Sequence, residues 1–552
     1  MPARNRLVLA LILVGGLLAI QSCGGDGGFT PIPGPGSGSA GDCGTSSSQP
    51  TASATSVYLA GQSGTSVQTN VLGAGTINRA DLAVFDPANP AAGIISPNIA
   101  NAGTYAFETP IEYGVYDATT KTLLEPYIRF LVFAQNGKLF KVDLRKSAPS
   151  LAPTQVSNET GADQICTFGG KQLVDYTNPD NTVIPYLTAG ADGLCGSSDD
   201  VWKAIRLGMT ATDAPLAARL PVTGLINSSG QAVGWLAING SALTRYDENF
   251  QTPSILTNVS SGVGEEISRG VGAVEKAVVS INNSLQLYSC ATTTVPTPFN
   301  LAGGSIAASA VDATAAYPAV TGGAGITIYR FPLDGSTPSI VTTDSSSLLG
   351  LTASAARLLY VVSSGTGVGQ LKSVAKSGSV PATLKVFGGL SFSGTIDELA
   401  AANNQVYYNF SEAVTGIPHA GQQNDDGTTA TPSEPANSRW LNLSLLTEPP
   451  NLSSVSGLAS LVRAENVVSA PTISYAGVIL RSFDPATGSQ IANLGTMPAS
   501  AFDIFAFDRN KDASLGQAIK SNVSILGAYT ADIYSVDPNT AGSLTRVTTN
   551  IP

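Results

Sequence analysis

Past residue 55 the apolar residues of this chain come in runs of four to eight, rich in Val, Ile, Leu, Tyr and Phe, and separated by Gly, Asn, Asp, Ser and Pro. Short apolar runs bounded by turn formers predict strands joined by tight turns. Ile128-Arg129-Phe130-Leu131-Val132-Phe133, then Gln135-Asn136-Gly137, then Lys138-Leu139-Phe140-Lys141-Val142-Asp143 is one such unit. Its Asn-Gly pair accepts the positive φ angles of a type I′ hairpin turn. Gly234-Trp235-Leu236-Ala237-Ile238-Asn239-Gly240 followed by Ala242-Leu243-Thr244-Arg245-Tyr246-Asp247 repeats the grammar, and Ser364-Gly365-Thr366-Gly367-Val368-Gly369 reads as another hairpin turn. Long segments of helical period are scarce, so the chain is expected to be all-β.

A weak repeat runs through these hairpins: a strand closing on Asp, a turn, then another short strand. Its instances end at Asp86, Asp143, Asp247, Asp334, Asp484 and Asp537, separated by 57, 104, 87, 150 and 53 residues. These intervals divide into nine steps of about 40 to 57 residues, the length of one four-stranded propeller blade. The pattern over residues 55–552 resembles a β-propeller, without a Gly-His and Trp-Asp fingerprint. Nine steps imply up to ten turn units. Eight blades are favoured, with seven blades or two β-sandwiches as alternatives; sandwiches would show no common step. Residues 417–438, polar and rich in Pro and Gly, are expected to form a long loop on one face that carries His419.

The beginning of the chain differs. Met1-Pro2-Ala3-Arg4-Asn5-Arg6 is basic, residues 7–20 are uncharged and apolar, and Gln21-Ser22-Cys23-Gly24 follows. Fourteen residues in a helix span about 21 Å, short of the roughly 30 Å of a bilayer core, so cleavage is favoured over a permanent span. Ile20-Gln21-Ser22-Cys23 resembles the lipobox of bacterial lipoproteins, with Gln21 where the family has a small or branched residue. The resemblance implies a signal peptide over 1–22, lipid on Cys23, and, from Gly24 after that cysteine, export to the outer membrane. Residues 23–54, dominated by Gly, Ser and Pro, are expected to be a flexible tether, because they carry too few apolar groups to offset ordering entropy. Residues 55–552 form the body.

Only 12% of residues are charged and the net charge is −11. Nucleic acid, which needs clustered cations, is therefore not an expected partner. A single histidine excludes sites built from two or more. Besides Cys23 there are four cysteines, Cys43, Cys166, Cys195 and Cys290. In an oxidising compartment an even number favours disulfides. Cys166 with Cys195 is the first choice, since both fall within one blade length. Cys43 and Cys290 are then left, either bonded or as free thiols.

Ala189-Gly190-Ala191-Asp192-Gly193-Leu194-Cys195-Gly196-Ser197-Ser198-Asp199-Asp200 places three carboxylates among turn glycines, a composition that can wrap oxygen around calcium. It resembles the Asp-Gly loops of thrombospondin type 3 repeats, which implies calcium on Asp192, Asp199 and Asp200; a solvated turn is the alternative. Asp508-Arg509-Asn510-Lys511-Asp512 resembles the start of an EF-hand loop, implying Asp508, Asn510 and Asp512 as ligands, but Ala513 replaces the turn glycine. No Gly-x-Ser-x-Gly elbow is present. Glu265 and Glu266 are adjacent on a strand, so they point to opposite faces unless the strand is bulged there. The function expected from these features is an envelope lipoprotein serving as a non-catalytic scaffold that binds a protein or glycan. The alternatives are a histidine-independent enzyme acting on polysaccharide or peptidoglycan, and a structural or adhesive surface protein.

Overall fold

The computed structural model describes residues 57–61, 81–85, 108–117, 122–135, 138–143 and most of 154–551, with side chains placed mainly over 154–497; its longest internal gap there is 447–459. The described residues are β-strands, turns and one 3₁₀ turn at Pro179–Asn181, with only an isolated helical position at Leu446.

The described strands form ten sheets in chain order. Val57–Gly61 and Asp81–Phe85 make an antiparallel pair, and the sheets spanning 108–155, 165–217, 220–258, 264–300, 305–344, 347–387, 438–497 and 504–551 each have four strands. The sheet 396–424 has three, and residues 433–436 occupy its fourth position through isolated bridges from Gln422 to Ser433 and from His419 to Ala436. Nine sheets thus have three or four strands, where the spacing favours eight blades. Each sheet is a simple up-and-down meander of consecutive strands.

From the sheet 108–155 onward, apolar clusters join each sheet to the next. Trp235 and Tyr246 share a cluster with Ile184 and Ile205, Val279 and Tyr288 with Leu243, and Phe331 with Val278 and Leu285. Further on, Tyr360 shares a cluster with Tyr317 and Ile328, Tyr408 with Leu371 and Phe387, Trp440 and Phe483 with Tyr407, and Val536 with Leu480 and Leu494. A sheet covered on both faces by its sequence neighbours has buried second strands, which accounts for nearly continuous apolar runs such as Val183–Thr188 and Gln405–Ser411. Fourth strands such as Ser254–Asn258 and Ala382–Phe387 are more exposed, as edges are. Serial four-stranded meanders packed face to face make an all-β, propeller-type fold.

Two devices recur. First, in seven sheets the opening strand carries one extra residue near its start: Cys166, Val222, Ile267, Ala307, Leu349, Asp397 and Phe505. A bulge at a constant place bends and twists each strand in the same way. Second, the repeated Asp follows the third strand and closes its turn to the fourth. Asp247 Oδ1 accepts the amides of Asn249 and Gln251 at 3.0 and 2.7 Å, Asp334 Oδ1 that of Ser336 at 2.8 Å, and Asp484 Oδ1 that of Ala486 at 2.8 Å. Asp143 and Asp537 also end or follow third strands, and Asp86 follows Asp81–Phe85. An ionised side chain that mimics a backbone turn explains why Asp marks the step.

One expectation is corrected. Residues 417–438 are not one long loop: Pro418–Asn424 is the third strand of its sheet, in register with Gln405–Ser411. Its Pro, Gly and Gln residues disguise it. Gly421 is needed because a Cβ there would lie 2.0 Å from the Tyr408 ring. His419, expected in a solvated loop, stacks on Phe410 with centroids 4.8 Å apart, and its side chain is 14% exposed.

Candidate functional site

In an up-and-down meander the first-to-second and third-to-fourth turns fall at one end of every sheet, and the second-to-third turns at the other. Among the described residues, the first end is fastened at each joint from 108–155 onward by a side chain of one sheet bonded to the third-to-fourth turn of the next. Lys141 donates to the Leu207 carbonyl, Arg206 Nε to Asn249 Oδ1 at 3.1 Å, Arg245 to the Thr292 carbonyl at 3.3 Å, and Lys276 to the Leu333 carbonyl at 3.0 Å. Asp312 pairs with Lys376 at 2.8 Å, Ser354 donates to Asp425, Tyr407 donates to the Pro485 carbonyl at 2.9 Å, and Ser460 donates to Asn539 at 3.1 Å.

The opposite end carries a cleft of about 430 Å³ at the sheet 305–344, lined by Gly304, Thr321, Gly322, Gly323, Gly325, Thr327, Tyr329, Thr343, Asp344 and Ser345, with Leu301, Val320 and Ile326. Glycine makes it. Gly325 lies at φ +119°, and a Cβ there would sit 2.0 Å from the Asp344 carbonyl. Gly304 likewise lies against the Thr321 carbonyl, with a Cβ position only 2.6 Å away. The Ser305 and Thr321 hydroxyls are 2.9 Å apart, and Tyr329 rests edge-on to Phe299 with centroids 5.3 Å apart. The one carboxylate of the lining, Asp344, accepts from Lys372 Nζ at 2.6 Å and from the Ser346 amide at 3.0 Å. Burial works to raise its pKa, but these bonds outweigh it and hold the group below the usual carboxylate range. The lining therefore offers hydroxyls, backbone groups and a neutralised carboxylate, suited to hydrogen-bonding a neutral polar ligand. Its sequence signal is Gly322-Gly323-Ala324-Gly325, which the motif analysis passed over.

Of the residues singled out from the sequence, Cys166 and Cys195 are bonded, with Cα atoms 5.4 Å apart. The bond ties the bulge of one opening strand to the loop 189–200. In that loop Ser197 Oγ is within reach of all three carboxylates, at 3.4 Å from Asp192 and 3.1 Å from Asp200 and closest to Asp199. The amides of Leu194, Gly196 and Asp192 donate to Asp192, Asp200 and Asp199 at 2.8, 2.8 and 3.2 Å. The Ser197 and backbone bonds hold Asp199 below the ordinary value. The carboxylates close the loop on its own donors, and among the described residues no group of three or more His, Cys, Asp or Glu is disposed to hold a metal ion. Asn510 and Asp512 lie outside the described residues, as does the side chain of Asp508; Cys23 lies outside them too. Glu266 accepts from Thr223 while its neighbour Glu265 is exposed, and the bulge follows this pair rather than dividing it, so the two carboxylates do not share a site. His419 Nε2 lies 3.0 Å from Glu412 Oε1, and its Nδ1 lies 3.3 Å from the Glu434 carbonyl.

No family model matches the chain, and no curated protein matches it. Among solved structures, a eukaryotic initiation factor is similar at 10% identity and TM-score 0.42, covering 77% of this chain and 98% of its own. A prolyl endopeptidase aligns at 7% identity and TM-score 0.35, over 74% of this chain. The tricorn protease aligns at 9% identity and TM-score 0.32, over 90%. The chain spans about half the length of either protease, 52% and 48% respectively.

Proposed function

We propose that this protein is a membrane-anchored envelope lipoprotein whose propeller-type body is a non-catalytic scaffold for a protein or glycan ligand. The observation that carries the binding role is the cleft at the second-to-third turn end of the sheet 305–344, walled by glycine backbone and hydroxyls, with its carboxylate already neutralised by Lys372. Such a lining can recognise peptide or sugar hydroxyl groups without an acid and base pair to act on them. The anchor rests on the lipobox-like Ile20-Gln21-Ser22-Cys23.

Cross-linking in intact envelopes, followed by purification of the full-length protein, tests the scaffold. A stoichiometric partner lost in a Thr327→Lys variant, which fills the cleft, supports it. Turnover of envelope polysaccharide by the purified protein would replace it with the enzyme reading.

A further inference from the structure

Cys290 directly follows the third strand Ser284–Ser289, in the turn that Arg245 fastens from the preceding sheet. The turn is also closed internally: the Thr292 amide donates to the Ser289 carbonyl at 3.0 Å, and the Ser289 amide to Thr292 Oγ1 at 2.9 Å. Cys290 is 2% exposed, packed into the cluster of Leu243, Val259 and Tyr288. It is disulfide-bonded. Since Cys166 and Cys195 are joined to each other, the other half of the Cys290 bond is Cys23 or Cys43, the two remaining cysteines of the chain. A sulfur that carries lipid cannot also carry a disulfide, so the inference rests on the anchor reading of Cys23.

We propose that Cys43 is bonded to Cys290, so that the lipid-bearing N-terminus is fastened to the body at the joint between the sheets 220–258 and 264–300, at their third-to-fourth turn end. Bond formation removes one hydrogen from each thiol, and the electron pair reduces a protein disulfide by thiol–disulfide exchange through a mixed disulfide. The same class of oxidant forms Cys166–Cys195. The covalent path from lipid to body is then the 20 residues from Cys23 to Cys43, at most about 70 Å, instead of the 34 residues to Val57, at most about 120 Å. The body is held by its third-to-fourth turn end, and the cleft lies at the opposite end.

The full-length protein, carrying one protease site inserted between residues 48 and 52, tests this on membranes. After the cut the body should stay on the membrane until a reductant is added, and then leave it. A Cys290→Ser variant should leave it on cutting alone. Non-reducing peptide mapping should join the peptide containing Cys43 to that containing Cys290. Release of the wild type by the protease without reductant, or alkylation of Cys43 and Cys290 as free thiols, overturns the clip. Loss of the uncut protein from membranes overturns the anchor instead, and a Cys23–Cys290 linked peptide overturns both.

Discussion

The Tyr407 hydroxyl donates to the carbonyl of Pro485 at 2.9 Å, although the two residues belong to different sheets. Tyr407 also packs edge-on against Trp440, at 5.3 Å between centroids, and Trp440 meets Phe483 in the same way at 5.2 Å. One side chain thus supplies both the apolar cover between the sheets and the polar fastening to the next turn. Burial raises the phenol well above its ordinary value, so it remains a donor throughout the working pH range. A Tyr407→Phe variant keeps the ring and strands the Pro485 carbonyl. It should lose about 1–3 kcal/mol by chemical denaturation. A cost near zero would show that the joint is held by packing alone.

The pair Asp312–Lys376 does the same work with charge. Burial works to raise the Asp312 carboxyl, but attraction and a hydrogen bond from Lys376, with bonds from Thr314 and Tyr317, outweigh it and leave it below its ordinary value. A carboxyl depressed in the folded state stabilises the fold above its unfolded value near 4, and that contribution is lost as pH falls through the folded value. Asp312→Asn should therefore melt below the wild type at pH 7, with the gap closing as the pH is lowered beneath about 4. Melting curves across that range check it; a gap independent of pH would assign the loss to packing.

The disulfide Cys166–Cys195 closes a 29-residue separation around the loop of Asp192, Asp199 and Asp200. Replacing both cysteines by Ser should cost about 2–5 kcal/mol. Because the loop carboxylates are engaged with Ser197 and backbone amides, millimolar calcium should leave the melting temperature of the wild type unchanged. A calcium-dependent rise abolished by Asp199→Ala would support the metal reading instead.

Gly325→Ala probes the cleft. With φ at +119° and the Asp344 carbonyl in the place of the new Cβ, the hairpin has to move. A loss above about 1 kcal/mol is expected, together with loss of the cross-linked partner. Gly335→Ala, also at positive φ but with open space around it, should cost less and leave the partner bound.

Val536 and Leu544 pack on the sheet 438–497, so the C-terminal sheet belongs to the body's continuous core. Deleting residues 532–552 should abolish a single cooperative transition, as followed by circular dichroism against denaturant. An unchanged transition would separate this sheet from the rest.

Local chemistry alone was enough for strands whose neighbours in the chain are also their neighbours in space. The hairpin joining Thr122–Gln135 to Lys138–Asp143, the hairpin joining Arg357–Gly365 to Val368–Ala375 and the Asp steps depend on turn preferences and on side chains bonding amides two residues away, all within a few positions. Pro418–Asn424 does not read as a strand in the sequence because its place is set by what lies across from it. Tyr408 needs the space over Gly421, Phe410 needs a flat partner and finds His419, and no local propensity records either.

The composition and order of residues therefore dictated an all-β chain of repeated meanders, because turn formation and strand pairing are short-range. They also supplied Cys166–Cys195, which spans one blade length. Tertiary structure alone decided the bulges that bend seven opening strands alike and the side chains that cross from each sheet to the next turn. It also made the cleft, since Gly304 and Gly325 close on Thr321 and Asp344 only after two turns of the chain have been packed together. Those features depend on distances between residues far apart in sequence, and hydrophobic patterning states which side chains are buried but not which of them meet.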